Sequence, residues 1–239
     1  MKRDSDSRYK ALLPFLSEER TNRFEDVLDG RTRHLSVVLE NIYQSRNASA
    51  VMRSCDGMGI QDVHLIEDVN PWVYNRVVSK GTPSWLTLHR YRQQKDPIES
   101  CIQNLKKKGY KIAVTSPHVN GYHLGNIPID KPLALVLGTE WKGVSDRMLE
   151  QADYHVAIPM YGFAESLNIS VAAAIALYEL SKRCRELPKA IWELSEVEKN
   201  SLRGDWAMRT VRKSELILKH LGVSQETTAH NSRPISDRN

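Results

Sequence analysis

Polar residues that could take part in chemistry are concentrated in three segments of this 239-residue chain, at 44–53, 138–145 and 160–170. In the third segment, Ser166 and Asn168 stand directly before a run of small apolar residues, where such side chains can cap the free amides of a helix start. Those amides also favour a bound anion or carboxylate. The segments contain no G-x-G-x-x-G, Walker lysine or G-x-S-x-G motif, so the usual signals of nicotinamide binding, triphosphate binding and serine hydrolysis are missing.

Alternating strand and helix patterns surround these three segments. Buried strands are predicted at 35–42, 63–66, 111–116, 133–137 and 154–158 from their length and β-branched content. Because strands and helices alternate along the chain, we expect an α/β fold with a mostly parallel sheet flanked by helices. Ligands of such sheets bind outside the carboxyl ends of the strands, and the three polar segments follow strands there.

Two helices carry clear start signals. Ser17 precedes an amphipathic segment that ends at Gly30, which predicts a capped helix. Further along, Asp96 is expected at the N-cap, Pro97 at the first helical position and Glu99 at the third, ahead of an apolar stripe.

The net charge of +5 is unevenly distributed. Residues 34–181 hold fourteen basic and fourteen acidic side chains, whereas residues 182–239 hold twelve basic and eight acidic ones. A basic segment attached to a neutral core favours an acidic partner, nucleic acid first, although solubility alone can also explain a modest excess.

The cysteines and the apolar runs bear on metal binding and location. The three cysteines lie far apart without C-x-x-C spacing, which argues against a zinc site or a disulfide framework and favours a reducing cytoplasm. No apolar run is long enough to span a bilayer, and the first residues lack the apolar core of a signal peptide. We therefore expect a cytoplasmic protein without a metal or a membrane segment.

Three segments of the chain stand out as motifs. They are N-I-Y-Q-S-R-N-A-S-A-V-M-R-S-C-D-G-M-G-I at 41–60, L-V-L-G-T-E-W-K-G-V-S at 135–145 and I-P-M-Y-G-F-A-E-S-L-N-I-S-V-A-A-A-I-A-L-Y-E at 158–179. In order and spacing these segments resemble the motifs of the SpoU/TrmH branch of the SPOUT RNA methyltransferases. This resemblance implies a C-terminal trefoil knot, a homodimer with the active site near the dimer interface, and S-adenosylmethionine-dependent methylation of ribose 2′-hydroxyls.

The resemblance also assigns expected roles by position. The implied catalytic residues are Asn47, Arg53, Glu140, Ser166 and Asn168. The implied cofactor-binding residues are Thr115, Gly138, Ile158 and Leu167, with Thr115 the least secure match. Considered without the resemblance, Asn47 would be the N-cap of a helix over 47–58, and Arg53 would form a surface salt bridge. Arginine is normally locked in its charged form, so Arg53 is either a true base or a group that binds phosphate and polarises the hydroxyl.

Two positions depart from the usual family pattern. Arg46 stands where the family often has histidine, and we expect it to add a contact to an RNA phosphate. Glu165 places a carboxylate immediately before Ser166. A carboxylate near RNA is unfavourable unless it points away or pairs, so substrate contacts at this position are left open.

The extensions on either side of the motifs suggest which RNA is modified. The expected division is an N-terminal helical extension at 1–34, the methyltransferase domain at 35–182, a basic helical extension at 183–223 and a disordered tail at 224–239. Such short extensions resemble those of the family members that methylate the D-loop guanosine at position 18 of tRNA. Ribosomal RNA, another tRNA position, or a catalytically idle RNA-binding role remain as alternatives.

Three cations of the C-terminal extension are expected to contact the RNA. Arg209, Arg212 and Lys213 have i, i+3 and i+4 spacing, which places them on one face if the segment is a single helix. On phosphates they would supply affinity without sequence choice. The alternative is a solvated helix face.

Overall fold

The computed structural model describes residues 4–73, 80–116, 121–139 and 142–223, so Glu140 and the tail at 224–239 lie outside the described residues. Contacts divide the chain into two compact units. One unit is helical and joins residues 4–32 to residues 193–223, and the other, residues 33–192, contains the sheet. The domain boundaries expected from the sequence remain a prediction.

Seven strands of the described residues form one sheet. They are β1 (Thr32–Glu40), β2 (Ile60–Ile66), β3 (Thr87–Tyr91), β4 (Lys111–Thr115), β5 (Tyr122–His123), β6 (Leu133–Leu137) and β7 (Tyr154–Ala157). Their order is β3-β2-β1-β6-β4-β7-β5, and the strands pair in parallel. The expected mostly parallel α/β sheet is therefore confirmed, while the trefoil knot remains a prediction.

The winding of the sheet reverses between β1 and β6. The chain first adds β2 and β3 on one side of β1, and the remaining strands lie on the other side, beginning with β6. Leu39 of β1 is level with Leu137 of β6, so the loops that follow these two strands start side by side. Such a reversal leaves a crevice at the carboxyl ends of the strands, where ligands of α/β sheets bind.

Helices flank the sheet and make up the helical unit. In the sheet unit, buried residues of β1 alternate between two apolar clusters: Leu35, Val37 and Leu39 belong to one, and Val38 belongs to the other. The helices of the sheet unit are α3 (Ser45–Gly57), α4 (Pro97–Lys107), α5 (Asp146–Glu150), α6 (Ile169–Glu186) and α7 (Lys189–Trp192). Those of the helical unit are α1 (Asp4–Leu12), α2 (Glu18–Gly30), α8 (Glu196–Thr210) and α9 (Ser214–His220).

The predicted helix starts are confirmed. The Ser17 hydroxyl accepts a hydrogen bond from the Arg20 amide at 3.2 Å and caps α2. The Asp96 carboxylate accepts from the Glu99 amide at 3.0 Å, and Pro97 occupies the first turn of α4. Both signals are local, since a capping side chain and its amide partner lie three residues apart.

Strand β3 has no counterpart in the sequence prediction. It carries His89, a nearly buried side chain that meets Asp62 of β2 at 2.9 Å, and Arg90, which donates to Glu67 at 2.7 Å. Because Asp62 in the neighbouring strand and Glu67 directly after that strand pair with these side chains, β3 can be a sheet strand without the continuous apolar run that identifies one from sequence.

The helical unit builds its own core from both ends of the chain. Trp206 of α8 is buried and packs edge-on against Phe24 of α2, with 5.5 Å between ring centroids. The Arg31 guanidinium lies 5.7 Å from the centre of the Trp206 ring, within cation–π range. The N-terminal and C-terminal segments are thus parts of one packed unit.

Candidate active site

A cavity of about 460 Å³ opens at the carboxyl ends of β4, β6 and β7. Thr115, Gly138, Ile158 and Leu167, the four residues expected to bind the cofactor, all line it. Ser166 lines it as well. The cavity lies within the size range of pockets for small molecules and cofactors, which is roughly 300–1,000 Å³.

The loop after β6 forms one wall of this cavity by folding back on itself. Thr139 and Gly143 exchange two backbone hydrogen bonds, at 2.8 and 2.9 Å. A Cβ at Gly138 would lie 2.1 Å from the carbonyl oxygen of Gly143, so only glycine fits there. Glu140, the predicted catalytic residue of this loop, lies outside the described residues.

Thr115 closes the cavity from the end of β4. Its hydroxyl donates to the Val136 carbonyl at 3.0 Å, which ties it to the neighbouring strand. Next to it, the Ser116 amide donates to the Val156 carbonyl at 3.0 Å. The sheet therefore fixes the position of Thr115, and Ile158 and Leu167 add apolar residues to the lining of the cavity.

The first and third motifs meet at the start of α6. Asn168 is the N-cap of this helix, and its side-chain oxygen accepts from the Ser170 amide at 2.9 Å, as the sequence predicted. Its Nδ2 lies 3.5 Å from Oδ1 of Asn47, at the long end of hydrogen-bond range. The expectation that Asn47 could itself be a helix cap is wrong, because α3 begins at Ser45 and Asn47 lies in its first turn.

The two arginines of α3 are exposed. Arg53 and Arg46 have solvent-accessible side chains and are not part of the cavity wall. The described residues offer Arg53 no ion-pair partner, so the alternative of a surface salt bridge finds no support there. Both cations are therefore available to an external anion.

The three cations of the C-terminal extension do not share a helix face. Helix α8 ends at Thr210, where Val211 turns to an extended conformation, and α9 starts only at Ser214. Arg212 and Lys213 are exposed in the intervening turn, with Lys213 at φ 57°. Arg209 lies in the last turn of α8, where burial lowers its pKa. The predicted shared helix face is therefore wrong, because the chain leaves the helix between Arg209 and Arg212.

Several cavity residues were not predicted from the sequence. Lys142, Asp146 and Glu165 contribute charged side chains to the lining. The one sequence signal that could have indicated them is their position, because each lies within eight residues of a predicted cofactor contact. Among the described residues, no cluster of three potential metal ligands is present, and no described helix is long and apolar enough to cross a membrane.

Sequence comparisons identify relatives that span most of the chain. A tRNA (guanosine(18)-2′-O)-methyltransferase of Borreliella burgdorferi is 40% identical over 88% of this chain and 94% of its own length. The enzyme of the same name from Thermus thermophilus is 32% identical over 70% of this chain and 84% of its own.

Structural comparisons point the same way. The TrmH/SpoU tRNA-modifying enzyme of Aquifex aeolicus has a TM-score of 0.71 and 31% identity, covering 82% of this chain and 98% of its own. The methyltransferase AviRb of Streptomyces viridochromogenes, solved with the cofactor AdoMet, has a TM-score of 0.56. It covers 68% of this chain and 65% of its own, and at 23% identity it shows a shared fold.

A family model matches the segment that contains all three motifs and the cavity. It describes the SpoU rRNA methylase family and covers residues 34–178, more than half of the chain. The chain therefore belongs to the SpoU methylase family.

Proposed function

We propose that this protein transfers a methyl group from S-adenosylmethionine to the ribose 2′-hydroxyl of guanosine 18 in tRNA. The main structural support is the cavity that gathers Thr115, Gly138, Ile158 and Leu167 beside the Asn47–Asn168 pair. Support for this substrate comes from relatives that are named for this reaction and that align along most of the chain.

The residues around the cavity fit S-adenosylmethionine. Its volume of about 460 Å³ is that of a cofactor pocket, and the folded-back loop at Gly138 brings backbone groups to its wall. The cofactor supplies an electrophilic methyl group, which moves from its sulfonium sulfur to the ribose oxygen, while the hydroxyl proton leaves to a base or to water. No metal is required by this chemistry.

The protein's own task is to orient the ribose and handle its proton. Asn168 is fixed as a helix cap and lies next to Asn47, so the two amides form a pair of defined position. Arg53 and Arg46 are exposed cations on the helix that carries Asn47, and both suit a phosphate near the target ribose. We assign Arg53 to binding that phosphate and polarising the hydroxyl, with Glu140 and Ser166 as further groups of the site.

We also propose that the protein acts as a homodimer in the cytoplasm. Val171, Ile175 and Tyr178 form an exposed apolar stripe along α6, at i, i+4 and i+7. Their exposed fractions are 46, 42 and 60%, which is costly for a stripe of this length without a partner. The same helix begins at Asn168, so a second subunit on this stripe would lie close to the active site.

Arg212 and Lys213 are proposed to contact the tRNA backbone from the turn between α8 and α9. Both are exposed, and phosphate contacts from such cations add affinity that falls with salt. Arg209 is the weakest of the predicted RNA contacts, because it is largely withdrawn from solvent.

The decisive experiment compares a tRNA transcript with the same transcript carrying 2′-deoxyguanosine at position 18. We expect labelled methyl transfer to the first and none to the second, with nucleoside analysis giving 2′-O-methylguanosine. Ribosomal RNA is the matched alternative substrate. Efficient methylation of ribosomal RNA with none on tRNA would contradict the proposed substrate, and binding of the cofactor without any transfer would contradict the enzymatic role.

A further inference from the structure

Glu40 is an acidic residue buried next to the candidate active site. It is the last residue of β1, and only 2% of its surface is exposed. Its Oε2 accepts a hydrogen bond from the backbone amide of Ser145 at 3.1 Å. Its Oε1 is also buried and has no hydrogen-bond partner among the described residues. A carboxyl group in such a place is costly, and neither the strand nor the apolar cluster beside it requires one.

The amide that Glu40 binds belongs to the end of a loop that lines the cavity. This loop begins at Gly138, directly after β6, and ends at Ser145, which caps α5 by accepting from the Met148 amide. Strand β6 fixes the beginning of the loop through its pairing with β1 and β4. The Glu40–Ser145 hydrogen bond fixes the other end, since it ties Ser145 to the end of β1.

A second buried carboxylate in an equivalent place serves a different loop. Glu67 follows β2 directly and is 6% exposed. It accepts from the Trp72 amide at 2.9 Å and from the Arg90 guanidinium at 2.7 Å. The loop that Glu67 holds, residues 68–73, contributes nothing to the cavity wall. The two glutamates are therefore matched in burial and in their bond to a loop amide, and they differ in which loop they hold.

We propose that Glu40 is a positioning residue for the cofactor pocket, acting through the Ser145 amide on residues 142–144, which line the cavity. It touches neither the cofactor nor the RNA. Loss of its acceptor oxygen leaves the Ser145 amide without this partner and frees this end of the loop, so the part of the cavity wall formed by Gly143 and Val144 is no longer held by the end of β1. The inference rests on the proposed binding of S-adenosylmethionine in this cavity.

Paired substitutions separate positioning from general stability. Glu40→Leu removes the acceptor, Glu40→Gln keeps a neutral one, and Glu67→Leu is the control at the other loop. We expect Glu40→Leu to raise the Kd for S-adenosylmethionine by about fivefold or more, because leaving a shielded amide unpaired carries a cost of that order. The Kd of Glu40→Gln for S-adenosylmethionine is expected to stay within about threefold of that of the parent protein. Glu67→Leu is expected to lower the unfolding temperature, with its Kd also within about threefold of the parent.

A second pair of variants tests the amide itself. Ser145 has φ −63°, which proline adopts, so Ser145→Pro deletes the N–H that binds Glu40, and the ring carbon that replaces this hydrogen displaces the Glu40 carboxyl group. Ser145→Ala is its control, since it removes the capping hydroxyl and keeps the N–H. We expect Ser145→Pro to weaken cofactor binding as Glu40→Leu does, Ser145→Ala to weaken it less, and the Glu40→Leu/Ser145→Pro double variant to bind no worse than the more severe single variant.

Calorimetric Kd values for S-adenosylmethionine and its demethylated product, together with unfolding temperatures, decide the outcome. Equal effects of Glu40→Leu and Glu67→Leu on the Kd would contradict the positioning role of Glu40. Additive effects of Glu40→Leu and Ser145→Pro in the double variant would also contradict it. A parent protein that binds S-adenosylmethionine but methylates no RNA would contradict the proposed function and leave this comparison valid. If Glu40→Leu does not fold, the two Ser145 variants decide the question alone.

Discussion

The two halves of the sheet differ in where their polar side chains lie. On the side of β2 and β3, charged side chains pair with one another within the sheet: the buried Asp62 accepts from the half-buried Arg33 at 2.9 Å and meets the buried His89 at the same distance. On the side of β4 and β6, the buried residues of these two strands are apolar, as in Ile112–Val114 and Leu133–Leu137. Among the described residues, polar groups line the cavity at the carboxyl ends of these strands.

This difference indicates separate purposes for the two regions. The groups around Asp62 pair mainly with one another: Asp62 holds Arg33 and His89, and His64 stacks on His89 and meets the Tyr91 hydroxyl at 2.9 Å. Burial alone would raise the pKa of Asp62, but the Arg33 guanidinium and the contact with His89 hold it well below its usual range. The cavity region instead keeps loop backbone groups at a surface where a ligand can reach them. The first arrangement stabilises the fold, and the second is suited to binding.

The largest effect is expected on the free energy of unfolding when Asp62, the centre of the charged network, is removed. Asp62→Ala leaves Arg33 and His89 without their buried partner and should reduce the free energy of unfolding by about 3–5 kcal/mol. Urea unfolding measures this loss. Lys10→Ala, which removes an exposed ion pair with Asp6 in the helical unit, is the control and should cost at most about 0.5 kcal/mol. A loss below about 1 kcal/mol for Asp62→Ala would remove the structural role of the network.

The next effect concerns catalysis outside the cavity wall. Arg53→Ala should reduce turnover by about 100- to 1,000-fold, the usual loss for a donor that stabilises developing charge, with little change in cofactor Kd because Arg53 does not line the cavity. Single-turnover methyl transfer and calorimetry measure the two quantities. Arg23→Ala, an exposed arginine of α2, is the matched control. If Arg53→Ala weakened cofactor binding by the same factor by which it slowed the reaction, Arg53 would be a cofactor-binding residue.

A smaller effect, on cofactor binding, is expected from adding a side chain at Gly138, where the backbone lies close to Gly143. Gly138→Ala places a Cβ against the Gly143 carbonyl and should weaken cofactor binding by about 1–3 kcal/mol, because the wall has to move. Gly125→Ala is the control, since nothing lies within 4 Å of a Cβ there. Equal cofactor Kd values for the two variants would show that this close approach is irrelevant to binding.

The smallest effect is a dependence of stability on pH. Burial raises the pKa of Glu40, although its bond to Ser145 opposes the shift. A raised folded-state pKa means that the contribution of Glu40 to stability is fully present below the ordinary pKa and is lost as pH rises through the folded value. Glu40→Gln cannot ionise, so its stability relative to the parent should increase with pH across that window. Parallel denaturation curves at acidic and neutral pH test this, and a constant difference would contradict it.

Local signals were readable from the sequence because their partners lie a few residues apart. Asp96 and Glu99, Ser17 and Arg20, and the cap at Asn168 are all such pairs. The strand at Leu133–Leu137 was predicted with the bounds that the structure shows, because a short run of five apolar residues is typical of a strand buried on both faces. The motifs added the family, and with it the residues that line the cavity.

Contacts between distant segments were decided only by the tertiary structure. Glu40 and Ser145 are 105 positions apart, and the residues around either one do not predict that the two are in contact. The turn after Thr210 likewise separates Arg212 and Lys213 from the helix that their spacing suggested. By itself the sequence determined the starts of α2, α4 and α6, five of the seven described strands, and the family. The pairing of β1 with β6 determined which loops meet, because strand order depends on how buried faces pack together and not on the residues beside each turn.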